Sequence, residues 1–269
     1  MWSFKKYRIL LLGEMRRDTQ NLLTFGAKYL WIFFLCFIYG FFFKTAVWHR
    51  QIALNGHPID FPLFLISGIL AVRIIPFSVK IFEETLSGLT HSGLTEWVRL
   101  TRTSFWELFA VRAVWNFILA LTELTALIFF AKLLIGTPLR PFFQTAMILP
   151  ILLLFAAQAG IGMIICGFAV YLKKMDIFFN LFFQISTALG GVFFPAEMLR
   201  ERLVFLSAVS DALPITHALR AMRFHLIHEE MNLAGNHELI LAFLALFYFS
   251  AGFFILLRSL RWAKRNGFA

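Results

Sequence analysis

The stretch IFFNLFFQISTALGGVFFPAEMLRER (Ile177–Arg202) decides the reading of this chain. Eighteen largely apolar residues run from Ile177 to Phe194 and then stop at Pro195 and a charged segment, Arg200-Glu-Arg202. A run of that length is what a helix needs to cross the hydrocarbon core of a bilayer. An ordinary loop is not this apolar, and an ordinary span does not end on Gly-Gly followed by Phe-Phe-Pro. The expectation is a span that ends early, near Gly190-Gly191, at a membrane face.

Composition supports the bilayer. The chain has 269 residues, 60% hydrophobic and 17% aromatic, with only 15% charged. Soluble domains carry about one quarter charged residues. The predicted fold class is an all-α integral membrane protein with six spans, near 29–47, 61–82, 105–134, 142–170, 177–194 and 238–257. No alternating strand pattern points to a barrel, so helices are expected throughout. The expected organisation is one transmembrane domain over 1–269. Within it, 1–28 is an amphipathic segment, 29–194 holds five spans, 195–237 is a helical connection, 238–257 is the last span and 258–269 is a tail.

The net charge of +10 does not point to nucleic acid. Most of it flanks the apolar runs, where Lys and Arg set orientation. Residues 1–28, 83–104, 171–176 and 258–269 together carry 14 Lys and Arg, and the connections on the other side carry 6. Both termini are therefore expected in the cytoplasm. No small-residue cleavage site follows the first run, so the basic N-terminus reads as a retained anchor. Phe4, Tyr7, Leu11 and Met15 lie at helical spacing beside basic residues. They predict an amphipathic helix on the inner surface of the membrane.

Catalytic and metal signatures are weak. Gly88-Leu-Thr-His-Ser-Gly93 has the glycine spacing of a phosphate loop, but Leu94 stands where lysine is required. ATP binding by this chain is rejected. His225 and His228 lack a convincing third ligand and read as a wetted helix end, so no metal site is expected. Cys36 and Cys166 lie in apolar runs and read as small buried residues. Arg112 lies near the inner face, where it can snorkel.

Two charges are deeper. Arg73 and Glu123 each lie about 12 residues from the same end of consecutive spans, roughly 18 Å along a helix. A lone charge there is costly, so the two are predicted to pair, as structure or as part of a transport path. Most of the 35 phenylalanines face lipid or other helices, and a minority are candidates for lining a path. Ala156, Gly160, Gly162 and Gly167 allow close helix packing.

The connection from Pro195 to about 237 is not a plain polar loop. Leu203, Leu206 and Val209 are helically spaced, as are Leu219, Met222 and Leu226, and Pro214 suits a first helical turn. Short amphipathic helices dipping into the outer leaflet are expected.

These pieces resemble the membrane subunit of type-2 ABC exporters. The likeness rests on the layout and on two motifs. The first is Glu83-Glu-Thr-Leu-Ser-Gly-Leu followed by Gly93-Leu-Thr-Glu-Trp-Val-Arg-Leu-Thr101, similar to the family's coupling segment. Here the near-repeat SGLTHSGLTE and Arg102 depart from the usual form. The second is Gly190-Gly-Val-Phe-Phe-Pro195 with Leu213-Pro-Ile-Thr-His-Ala-Leu-Arg220, similar to the family's signature before the last span. Phe61-Pro-Leu-Phe-Leu-Ile-Ser-Gly68 is also similar to members that export capsule or O-antigen polysaccharide.

The resemblance implies a half-transporter in a bacterial cytoplasmic membrane. It implies a separate ABC ATPase subunit that binds ATP and Mg, and a second permease copy, with no cofactor bound by this chain and no nucleic-acid partner. Glu83, Glu84, Gly88, Gly93, Glu96 and Arg99 would couple to the ATPase. Gly190, Gly191, Phe194, Pro195, Pro214 and Arg220 would form an external gate. An intramembrane lipid-modifying enzyme and a non-transporting scaffold are the alternatives. The enzyme would need clustered Asp, His or Ser at membrane depth, and only Arg73 and Glu123 are available.

Overall fold

The structure, a computed structural model, describes residues 2–19, 26–27, 29–38, 51–54, 57–91, 105–136, 138, 140–172, 175–196, 204–227 and 236–265. Its helices, in chain order, are α1 (Trp2–Thr19), α2 (Tyr29–Ile38), α3 (Phe61–His91), α4 (Phe105–Ile135), α5 (Ile148–Leu172), α6 (Met175–Leu189), α7 (Val204–Ala212), α8 (Pro214–Ile227) and α9 (Asn236–Arg265). Two 3₁₀ turns, Arg140–Phe143 and Thr145–Met147, lead into α5.

Four helices are long and apolar enough to cross a membrane, with apolar segments at Phe61–Val79, Trp106–Leu134, Thr145–Tyr171 and Asn236–Trp262. Tyr29–Ile38 and Ile177–Leu189 are shorter apolar helices. This is an all-helical membrane protein in its long elements, with one departure. Strands β1 (Gln51–Leu54) and β2 (His57–Asp60) form an antiparallel hairpin in which Leu54 faces His57. Asn55-Gly56 is the dipeptide that favours a two-residue hairpin link, so a local turn signal overrides the expectation of helix alone.

Two helices overrun their expected limits. α3 has 31 residues, about 46 Å at 1.5 Å per residue, so it extends well beyond a hydrocarbon core of about 30 Å. Glu83, Glu84 and Gly88 thus lie on a continuous extension of the second span rather than in a separate connection. α9 likewise continues through the expected tail to Arg265. Pro76 interrupts α3 by removing one amide donor. Just beyond it the Ser78 hydroxyl donates to Ile75 O at 2.9 Å.

α5 and α9 make the closest backbone approach. A Cβ on Gly160 would lie 2.5 Å from Phe249 N, and one on Gly252 would collide with the Gly160 carbonyl oxygen. Small residues at a crossing let two helices gain dispersion contact where lipid supplies no hydrophobic drive. One core cluster joins Ile32 and Cys36 of α2, Ile59 of β2, Ile74 and Ile75 of α3, Leu127 of α4, Leu154 of α5 and Ile215 and Leu219 of α8. A second, around Ile81, Phe82, Met163, Cys166 and Leu256, lies toward the other ends of the long helices.

α1 packs on α4, and an ion pair joins them. Arg112 Nε donates to Glu14 Oε1 at 2.9 Å, and Arg112 is only 3% exposed. The expected snorkelling of Arg112 is therefore corrected: a carboxylate from α1 reaches it first. Ile9, Leu12 and Met15 remain exposed on α1 beside Arg8 and Arg16.

Candidate functional site

α6 is 15 residues long, about 22 Å, and it stops at Leu189. Gly190 N donates to Ser186 O at 2.9 Å, and Gly191 takes φ of +77°. That left-handed conformation suits glycine, whose lack of a Cβ removes the steric penalty. The chain then turns through Val192 and Phe193-Phe194 into Pro195, which is buried. Phe194 is half-buried and Gly190 packs against Ile215 Cγ2 of α8.

α8 is the element that receives this turn. It packs on α3, α5 and α9. Ile215, Thr216, His217, Ala218 and Leu219 are buried in succession, which covers the full circumference of a helix. The expectation of an amphipathic helix facing the outer leaflet is therefore corrected for α8. Its polar side chains find partners inside the bundle, so it needs no wet face. Pro214, at its first position, is buried too.

Arg223 joins the turn, α8 and α3. Its Nη1 donates to Gly191 O at 2.8 Å. Its Nη2 donates to Phe64 O at 3.2 Å and Val192 O at 3.3 Å. Its Nε donates to Ser67 Oγ at 3.1 Å, and that hydroxyl donates to Phe64 O at 2.7 Å. The guanidinium carbon also sits 3.5 Å from the Phe64 ring centroid. Arg223 is 4% exposed. A planar guanidinium with five donors in fixed directions can hold this set, and a lysine cannot. Gly68 completes the fit, because a Cβ there would stand 2.5 Å from Val192 O.

Sequence reasoning counted Arg223 only as a loop charge. The missed signal is its register: it follows Leu219 by four residues and precedes Leu226 by three, so it shares their apolar face.

α7 and α8 are stapled to the same turn and to α9. Ser210 Oγ donates to Leu189 O at 2.7 Å, and Tyr248 OH donates to Ala212 O at 3.0 Å. Arg220 Nη1 donates to Asp211 Oδ1 at 3.0 Å, and His217 Nε2 lies 2.8 Å from Asp211 O. His225 Nε2 lies 2.8 Å from Glu238 Oε1, with the two side chains 2% and 5% exposed. The expected wetted end is thus corrected for His225, which is buried against the first turn of α9. His228 lies outside the described residues. No group of three or more His, Cys, Asp or Glu suited to a metal ion occurs among the described residues.

The structure brings Arg73 and Glu123 together: Arg73 Nη2 donates to Glu123 Oε2 at 2.7 Å between α3 and α4. Of the residues named for ATPase coupling, Glu83, Glu84 and Gly88 lie on the far end of α3, while Gly93, Glu96 and Arg99 lie outside the described residues. Gly190, Gly191, Phe194, Pro195, Pro214 and Arg220 all lie in the turn–α7–α8 region, with Arg220 paired to Asp211.

A family model described as ABC-2 type transporter matches residues 12–227. A search of curated proteins finds no match.

Proposed function

The chain belongs to the ABC-2 type transporter family, and on that premise we propose that it is the permease subunit of an ATP-driven exporter. A permease domain of this family lacks its own ATPase site. Energy then arrives from a separate ABC ATPase that binds ATP and Mg, and two permease copies form the path. Six spans are proposed from the four long apolar helices together with the shorter apolar helices α2 and α6.

The observation that carries the reading is the Arg223-pinned turn at Gly190–Val192. Irregular backbone is tolerated at membrane depth only where protein or a water-filled cavity satisfies it. A chain built only to anchor or to scaffold has no use for a broken helix, a buried arginine and a buried helix α8 at one end of the bundle. In the proposed orientation this is the external mouth, and both termini are cytoplasmic. That orientation is supported by the 14-to-6 bias of Lys and Arg. The membrane is then the bacterial cytoplasmic membrane.

Coupling would enter through the extension of α3 and the segment that follows it, with Glu83, Glu84, Gly88, Gly93, Glu96 and Arg99 as contacts. Because one helix, α3, runs from Phe61 to His91 with Pro76 between, movement imposed at Glu83–Gly88 would reach Gly68 and the turn along a single element. α1, tied to α4 by Glu14–Arg112, would flank the docking surface. The substrate classes compatible with a chain that is 17% aromatic are an amphipathic lipid, a glycan or polysaccharide, or a drug.

The testing experiment is co-purification from native membranes in mild detergent, followed by mass spectrometry. A stoichiometric partner with a complete phosphate loop is expected. Absence of an ATPase, under conditions that keep known complexes intact, would overturn the half-transporter reading. In the reconstituted complex, Glu96→Lys is expected to abolish coupled ATPase stimulation while the protein still inserts.

A further inference from the structure

α9 presents one unbroken exposed face, apolar for most of its length and basic at its end. Ile240, Phe243, Phe247 and Phe254 are exposed at spacings that keep them on one side of a helix. Arg258, Arg261 and Arg265 follow in the same register and are exposed too. All seven positions fall within an arc of about 60° at 3.6 residues per turn. The segment RSLRWAKR (Arg258–Arg265) holds no carboxylate. Arg258, Arg261 and Arg265 make no ion pair or hydrogen bond among the described residues. Like charges three or four residues apart on a helix repel. The helix dipole favours cations in the last turn, which does not account for Arg258.

Depth identifies what meets this face. From Asn236 to Arg258 the helix rises about 33 Å. That is just past a hydrocarbon core of about 30 Å, so the three guanidiniums begin where the acyl chains end. Trp262, in the same turns, meets Tyr171 at the end of α5 with ring centroids 4.8 Å apart, and both rings are partly open to the surroundings. Indole and phenol rings settle at the headgroup layer. Water would hydrate the arginines but bring no counter-charge. A lipid phosphate brings the counter-charge, and its acyl chains cover Phe247 and Phe254 on the same face. Arginine suits a phosphate because its planar fork can hold two oxygens at once.

We propose that Arg258, Arg261 and Arg265 form a binding surface for anionic phospholipids in the leaflet at the C-terminal end of α9. The phosphates sit between neighbouring arginines and relieve their repulsion. The step from Phe254 to Arg258 fixes how deep α9 sits, since neither side chain is stable in the other's layer. The surface depends on neither the exporter reading nor the orientation of the termini.

The test uses the full chain, with its associated subunits, in bilayers that mix phosphatidylglycerol and phosphatidylcholine. Either lipid carries a photoreactive group near the head of one acyl chain, and mass spectrometry locates the labelled peptides. Labelling of residues 254–265 is expected at a much lower mole fraction of the phosphatidylglycerol probe than of the phosphatidylcholine probe. Each Arg→Gln change at 258, 261 or 265 should lower that preference about fivefold, and all three together about a hundredfold. The triple Arg→Lys variant should keep most of it. Equal labelling by both lipids in the unaltered chain overturns the surface, as does a preference that survives the triple Arg→Gln change. Crosslinks from 254–265 to a protein subunit, with no lipid label there, assign the face to a protein partner and also overturn it. A second measurement needs no variant to fold: raising salt to about 0.5 M should remove most of the unaltered chain's preference by screening. A preference indifferent to salt would count against binding through charge.

Discussion

Arg223 of α8 and Gly191 of the α6 turn are separated by 32 residues in sequence and by 2.8 Å in space, guanidinium to carbonyl. The contact makes the turn's backbone part of the packed core. The carbonyls of Gly191 and Val192 point into the bundle, and without Arg223 they would be buried acceptors with no donor from α8.

Arg223→Ala should therefore cost about 3 kcal/mol or more, because several buried acceptors lose their donor at once. Arg223→Lys should recover only part of this, since an ammonium cannot bridge Ser67, Phe64 and Gly191 together. Thermal melting in detergent checks the stability. Transport in the reconstituted complex checks the function, and Arg220→Ala, which breaks the partly buried pair with Asp211 but leaves the turn's carbonyls with Arg223, should be milder in both.

Arg73 and Glu123 form a pair whose side chains are 25% and 7% exposed. Replacing Glu123 by Leu strands a cation and should cost about 3 kcal/mol, the lower end for a broken buried pair because Arg73 is partly open. Arg73→Met combined with Glu123→Leu should restore most of the stability. If the double variant melts normally yet transport is lost, the pair serves the path; if transport also returns, the pair is structural.

Gly160→Ala should destabilise strongly, since its Cβ would enter the backbone of Tyr248 and Phe249. Gly13→Ala on α1, where a Cβ meets nothing within 4 Å, should be neutral or stabilising by up to about 1 kcal/mol. The contrast in melting temperature between these two chemically identical changes checks the α5–α9 crossing.

Gln158 on α5 is fully buried, and neither its Nε2 nor its Oε1 has a hydrogen-bond partner among the described residues. Replacing an unsatisfied buried amide with an apolar group of similar shape is neutral or stabilising. Gln158→Leu should therefore keep or raise the melting temperature, whereas Gln158→Glu should lower it.

Much of the fold is legible in the chain. The apolar runs predict where α3, α4, α5 and α9 lie, because a helix in lipid is set by local composition. The Gly190-Gly191 break is legible for the same reason: a positive φ and a missing Cβ are local demands. The β1–β2 pairing was not expected, although Asn55-Gly56 between the strands carries a local turn signal.

What was not legible is who meets whom. Arg112 and His225 read as side chains that escape to water, since a charge or imidazole near a membrane face ordinarily does so, and Arg223 counted only as a charge in a connection. Each is instead buried, because a specific partner from a distant element, Glu14, Glu238 or the Gly191 carbonyl, replaces the lost hydration.

By itself, the sequence determined that this is a membrane protein, where its apolar helices run and where one of them breaks. Those features depend on the free energy of moving local stretches of chain out of water. Only the tertiary structure decided that α8 is enclosed rather than lying in the leaflet, and that one arginine holds the broken helix against Gly68. Those features depend on pairing buried polar groups across a sequence separation of 156, as Arg223 does with Ser67, and no local pattern encodes that distance.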